Sequence, residues 1–318
     1  MKNIDFGFLE NIQENIKRIN EKKEILDQNR PISYSILEKL KEDISLEWTY
    51  NSNSIEGNSL TLAETRVVIS DGMTIGGKSL REHFEAINHK KAIDFLETLA
   101  KPTYQLRAID FLSIHNLILK NIEDDYAGRL RDGMVRIVGA NFTPPSPNKI
   151  SDLIDGLVEE VNLNQHNLSA PILSTIFHHK FVWIHPFFDG NGRTVRLAMN
   201  LLLMKEGFPP AVILKNDRKK YYDALNMANN GKYEKLTLLM LQAIERSLNI
   251  YINVLPKNYT EYEPIANIVS EPEVPYGMEY ISLMARTGKI NAYKEGRNWL
   301  TSKKDVMEHY HKSKKNIK

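Results

Sequence analysis

The stretch Ile184-His185-Pro186-Phe187-Phe188-Asp189-Gly190-Asn191-Gly192-Arg193-Thr194-Val195-Arg196 decides how the rest of this chain is read. It follows an apolar helical pattern that ends at Pro186. It then passes through two glycines and opens a second apolar helix, predicted from Thr194 to Glu206 and stopped at Gly207. A Gly-Asn-Gly turn feeding a helix N-terminus leaves backbone N–H groups converging on one point, where the helix dipole adds positive potential. The turn is a ready anion cradle. Arg193 and Arg196 lie three apart, so one helix face carries both guanidinium forks toward the same anion. Asp189 is a hard oxygen donor just ahead of the cradle, suited to Mg²⁺, which commonly binds through one carboxylate plus phosphate oxygens. His185 is a base of suitable pKa held beside them. A lone Gly-x-Gly turn or a lone His is usually structural. Base, acid, glycine turn and two arginines in one loop-to-helix segment define a candidate site.

The run is similar, at every fixed position, to the Fic family signature His-Pro-Phe-x-Asp/Glu-Gly-Asn-Gly-Arg-x-x-Arg, and the resemblance extends from about Trp48 to about Tyr251. It implies a mainly α-helical Fic fold with a small β-hairpin flap. It also implies adenylyl transfer: AMP moves from ATP to a Ser, Thr or Tyr hydroxyl of a target protein, and pyrophosphate leaves. In that resemblance His185 deprotonates the hydroxyl and Asp189 holds Mg²⁺ across the α- and β-phosphates. Gly190, Asn191 and Gly192, followed by Thr194, form the anion hole, Arg193 grips the α/β region, and Arg196 takes the γ-phosphate. The chemistry agrees, because such transfer depends on in-line positioning and charge neutralisation.

Upstream lies Ser52-Asn53-Ser54-Ile55-Glu56-Gly57-Asn58. On composition it is a helix C-terminus closed by Gly57, with Glu56 a solvated acid. It also resembles the family's inhibitory motif Ser/Thr-x-x-x-Glu-Gly/Asn, matched by Ser52, Glu56 and Gly57. That resemblance implies a class II protein, with a built-in inhibitory helix whose Glu56 pairs with Arg196 and competes with the γ-phosphate.

The 318 residues carry a net charge of +2, 42% hydrophobic and 26% charged residues, an ordinary soluble composition with room for a sizeable core. With no cysteine, disulfides and thiolate metal sites are excluded. The N-terminus lacks an apolar signal core and no run reaches the ~20 apolar residues of a spanning helix, so a cytoplasmic location is expected, with no membrane partner.

Residues 4–27 space their apolar positions as an amphipathic helix, suited to packing on the body or on a second copy in a homo-oligomer. A second helix is predicted over Ile36 to Trp48, and residues 1–100 are taken as an N-terminal helical region. Capping boxes Thr61-Leu62-Ala63-Glu64 and Ser79-Leu80-Arg81-Glu82 open two more helices. Within the expected core, 101–255, Leu106 to Leu119 is helical and its His115 is given no role. Met134 to Val138 is a short β-type run returning through Gly139-Ala140-Asn141-Phe142-Thr143-Pro144-Pro145. It resembles the family's flap, which registers an extended target peptide and lines the nucleotide pocket with Val138, Gly139, Ala140 and Asn141. The adjacent His178 and His179 point about 100° apart and read as structural. By resemblance, Tyr222 and Asn229 contact the adenosine.

Residues 256–275 read as a Pro/Glu/Asn-rich linker. In 276–318, a helix from Met278, two strands about Glu295-Gly296-Arg297 and a helix from Lys303 resemble a winged helix-turn-helix module. From Arg286 onward ten Lys/Arg stand against three Asp/Glu, which suits phosphate contacts, and both DNA and protein stay open as its partner. Self-modification, removal of AMP by the same site, and a DNA-binding regulator with a nucleotide-sensing Fic body are the other readings the sequence leaves open.

Overall fold

The computed structural model describes residues 4–255 and 262–315, and its regular structure is almost entirely helical. A 3-10 turn over Phe6–Ile12 leads into α1 (Gln13–Gln28). The tighter entry, where the sequence predicts one continuous helix, starts at Asp5, whose carboxylate accepts from the Gly7 N–H. α2 (Tyr34–Ile55) runs past its predicted end at Trp48 and carries Ser52 in its last turn. Gly57, at φ 105°, closes it. α3 (Leu62–Arg66) and α4 (Leu80–Leu99) start at the two capping boxes, each with both reciprocal hydrogen bonds formed.

α5 (Ala108–Leu119), α6 (Ile150–Leu163), α7 (Ala170–Ile184), α8 (Asn191–Lys205), α9 (Arg218–Ala228) and α10 (Glu234–Asn253) complete the body. α8 packs along α7 and against α4 and α5, so it is buried on every side, with Val195, Leu197, Ala198, Leu201 and Leu203 fully buried and Arg193, Arg196 and Asn200 enclosed as polar exceptions. One apolar cluster runs from Ile12 to Leu255 and includes Ile19, Trp48 and Leu96; the boundary expected at residue 100 therefore separates no two cores. Among the described residues no helix is long and apolar enough to cross a membrane.

Two expectations are corrected here. Residues 134–138 alternate in exposure as a strand would, yet they pair with no other strand. The Ala140 N–H closes a turn onto Ile137 O about Gly139, and the returning arm contains Pro144 and Pro145, which cannot donate to a ladder. The flap is a loop and not a hairpin. The second correction concerns the linker. Residues 256–261 lie outside the described residues, but β1 (Glu263–Pro264) and α11 (Ile265–Val269) follow directly. Ile265 and Ile268 enter a second apolar cluster with Ile281, Met284, Ile290 and Val306.

α12 (Met278–Arg286), β2 (Ala292–Glu295), β3 (Asn298–Thr301) and α13 (Lys303–Lys315) follow in the predicted order. The sheet is antiparallel in the order β1-β3-β2, with Ala292 opposite Thr301 and Pro264 opposite Leu300.

This C-terminal unit is fastened to the body by charge. Glu245 of α10 is buried and accepts from Arg18 of α1 at 2.5 and 2.9 Å, with Lys22 at 3.0 Å. Arg18 also donates to Gly288 O at 3.1 Å, and Lys22 to Asn291. The β2–β3 turn faces the body: Lys294, a cation expected to suit phosphate, pairs with Asp217 at 2.7 Å, and Asn216 donates to Gly296 O. Beside Asp217, the Lys215 N–H donates to Asn51 Oδ1 at 2.9 Å and Arg218 donates to Ile55 O at 2.7 Å, both on α2. Glu245→Ala leaves two buried cations without a counter-charge and is expected to lower stability by about 3–5 kcal/mol, read from equilibrium urea unfolding.

Candidate active site

α7 ends at His185, which holds a left-handed backbone (φ 50°) while its N–H reaches Phe181 O. A side chain with a Cβ is strained in that region, and the strain turns the chain sharply out of the helix. Three anchors then shape the loop. The Asn191 side chain accepts from the Phe187 N–H at 3.0 Å and donates to Phe187 O at 2.8 Å. Phe187 is buried and lies face-on against His115, 3.6 Å between ring centroids. Arg131, also buried, donates to His185 O (2.7 Å), Gly133 O (2.8 Å) and Pro145 O (2.6 Å), tying the signature loop to both arms of the flap.

α8 begins at Gly190 (φ 73°) and no side chain caps it. A Cβ at Gly190 would press on His115 and Ile118 at 3.2 Å, and one at Gly192 would collide with Glu56 Oε1. The Glu56 carboxylate therefore packs directly against Gly192 in the first turn of α8. The same carboxylate lies 2.7 Å from Arg196 Nη2. Arg196, only 3% exposed, also donates to Ser52 O at 2.8 Å and Ser52 Oγ at 3.0 Å. Ser52, Glu56 and Arg196 are thus brought together, and Gly57 supplies the left-handed turn that releases the chain after them.

Arg193, equally buried, lies 3.1 Å from Glu85 and 3.4 Å from Asp189. Its Nε and Nη1 have no hydrogen-bond partner, nor do His185 Nδ1 and Thr194 Oγ1. Asp189 accepts from the Gly190 N–H and from Arg81, each at 2.6 Å. Burial acts to raise its pKa, but Arg193, the Gly190 N–H and Arg81 outweigh that and hold it below the usual carboxylate range. Burial, helped by the charge of Arg131, pushes His185 down to about 4. Its imidazole is neutral at physiological pH.

His115, to which the sequence assigned nothing, accepts from the Gly128 N–H at Nδ1 and donates from Nε2 to Asp189 O, each at 3.0 Å. An amide can only donate and a carbonyl can only accept, so the proton is fixed on Nε2. Burial holds this ring down to about 4 as well. No local pattern marks such a residue, because its partners lie on two distant loops. The same is true of Glu85 and Arg81.

The flap and α9 meet as a polar seam. Asn141 donates to Asn226 O (3.1 Å), Asn226 donates to Gly139 O (3.1 Å), and Asn229 donates to Asn141 Oδ1 (2.9 Å). His179 steadies Asn229 by donating to its Oδ1 at 2.9 Å, and His178 bonds Tyr221 at 3.0 Å. Tyr222 is half-buried under Arg218, near enough to Glu56 and Arg196 to sense both charges. Ala140 sits within the turn, but Val138, 98% exposed, is not brought into the seam. Among the described residues no three His, Asp or Glu side chains cluster as a resident metal site, and Asp189 is the acid nearest the cradle's N-cap.

A helical body with a base, an acid and two buried arginines gathered around the uncapped N-terminus of one helix is the arrangement the fold presents. Residues 105–203 match the Fic/DOC family, and the chain belongs to that family. It is 34% identical over 242 residues to protein adenylyltransferase Fic of Aedes aegypti, covering 76% of this chain and 48% of that protein. The structure of Fic-1 (residues 134–508) from C. elegans shares 31% identity at a TM-score of 0.68, covering 76% of this chain and 72% of that one. A Fic domain-containing signaling protein from Bacteroides thetaiotaomicron matches at 25% identity and TM-score 0.70, over 78% of this chain and all of that one. The chain spans about half the length of the curated relatives it matches.

NMR titration checks the buried imidazoles: at about pH 5.5, where free histidine is mostly protonated, His185 and His115 are expected to keep neutral-ring nitrogen shifts. Midpoints near the ordinary histidine value would contradict the burial described.

Proposed function

We propose that this chain is a protein adenylyltransferase, moving AMP from ATP to a Ser, Thr or Tyr hydroxyl of a target protein under restraint by its own Glu56. The observation that supports it best is the Glu56 carboxylate packed against Gly192 and paired with Arg196. The relatives named protein adenylyltransferase support the donor and the reaction.

The residues fit a magnesium nucleotide. Arg193 adds buried N–H donors in the first turn of the uncapped α8, and Asp189 is a single carboxylate of the kind Mg²⁺ shares with phosphate oxygens. When bound, Mg²⁺ supplies charge neutralisation and orientation of the phosphates. Neutral His185 takes the proton of the target hydroxyl as its oxygen bonds to the α-phosphorus, and the bond to pyrophosphate breaks on the opposite side. Arg193 and the backbone N–H groups of α8 stabilise the charge developing on the α-phosphate oxygens. The unpaired backbone of residues 134–138 gives an extended target segment something to pair with. Glu56 restrains the reaction by holding the Arg196 fork away from the γ-phosphate.

Glu56→Gly returns to Arg196 a charge-assisted contact of about 1.5–3 kcal/mol, so ATP-dependent labelling, self-labelling included, is expected to rise about 10- to 100-fold. Unchanged labelling by the folded variant rejects the inhibitory role. His185→Ala is expected to lose about 10²–10⁴-fold in transfer while still binding ATP. Release of AMP from a pre-adenylylated target by the wild type would instead assign Glu56 to orienting water.

A further inference from the structure

Asp189 is tied up by a residue that the proposed reaction does not use. Arg81, near the start of α4, places Nη2 2.6 Å from Asp189 Oδ2. The same guanidinium lies 3.0 Å from Glu123 and 3.3 Å from Glu85. Glu85 in turn reaches Arg193 at 3.1 Å and accepts from Asn58, two residues beyond Glu56, at 2.9 Å. Arg81 is about half exposed, with a side-chain accessibility of 47%, so it can change rotamer freely. It also has two carboxylates to fall back on. Releasing Asp189 therefore leaves its charge paired, unlike the withdrawal of a buried arginine.

We infer that Arg81 is a displaceable counter-ion for Asp189. It neutralises this acid in the metal-free protein and yields it to the divalent cation arriving with the nucleotide, while keeping its pairs with Glu85 and Glu123. The inference rests on the reading of Asp189 as the carboxylate that meets that cation. Two consequences follow from charge alone. Without Arg81 a less shielded Asp189, left with Arg193 and the Gly190 N–H, repels metal-free polyphosphate more strongly, and the cation meets one competitor fewer. Both effects widen the gap between metal-free and metal-bound nucleotide affinity.

Calorimetry on the full chain carrying Glu56→Gly measures this directly. The probe is the α,β-methylene analogue of ATP, titrated once with excess Mg²⁺ and once with EDTA. The ratio of the two dissociation constants is expected to rise about three- to tenfold on Arg81→Gln and to stay near its starting value on Arg81→Lys. An unchanged or smaller ratio for Arg81→Gln, in a variant whose unfolding transition is intact, overturns the counter-ion role. Asp189→Asn separates the two layers of the argument. If it abolishes the Mg²⁺ dependence while Arg81→Gln does nothing, only the role of Arg81 fails. If it leaves the Mg²⁺ dependence intact, the metal reading of Asp189 fails and takes this one with it.

Discussion

A guanidinium buried to 3% exposure must find a counter-charge, and in this fold Arg196 finds it in Glu56. Leaving such a cation unpaired costs about 3–5 kcal/mol, so the contact does two things at once. It completes the interior at the meeting of α2 and α8, and it sets a carboxylate against Gly192. Ser52 adds two neutral acceptors that stay in place whichever anion is present. A polyphosphate arriving at Arg196 would substitute for Glu56 and not simply add to it. On the proposed reading one ion pair would carry both restraint and stability, and relief of the first would need a replacement for the second.

The loop that presents the cradle is rigid for reasons spread over the molecule. Asn191 binds the backbone of Phe187, His115 lies flat on the Phe187 ring, and Arg131 holds three carbonyls. The fixed proton on His115 Nε2 holds the carbonyl of Asp189 in place. Preorganisation of this kind means that little rearrangement is needed at the moment charge develops.

Much of this was legible in the sequence. The thirteen residues from Ile184 to Arg196 carry the turn and the charged groups in order, because their geometry is local, although α8 starts at Asn191, three residues ahead of the predicted Thr194. The capping boxes at Thr61 and Ser79, and the closing glycine after Glu56, are local devices too and were read correctly. The failures share a different cause. Residues 134–138 have strand-like alternation, but a strand needs a partner, and the prolines of the returning arm deny it one. Ile265 and Ile268 were hidden in a composition typical of linkers, although their spacing is that of a short buried helix. His115, Arg81 and Glu85 gain their meaning only from contacts across the fold, and no spacing rule reports those.

The wing of the C-terminal unit touches Asp217, and the residues flanking Asp217 hold Asn51 and Ile55 at the end of α2. Arg246 makes a parallel link, from Lys294 O at 2.6 Å to Glu47 of α2 at 2.7 Å. The small unit is therefore a buttress and not a trailer. The β2–β3 turn and the end of α2, just ahead of Glu56, are thus joined through the short segment around Asp217 and share one set of polar supports.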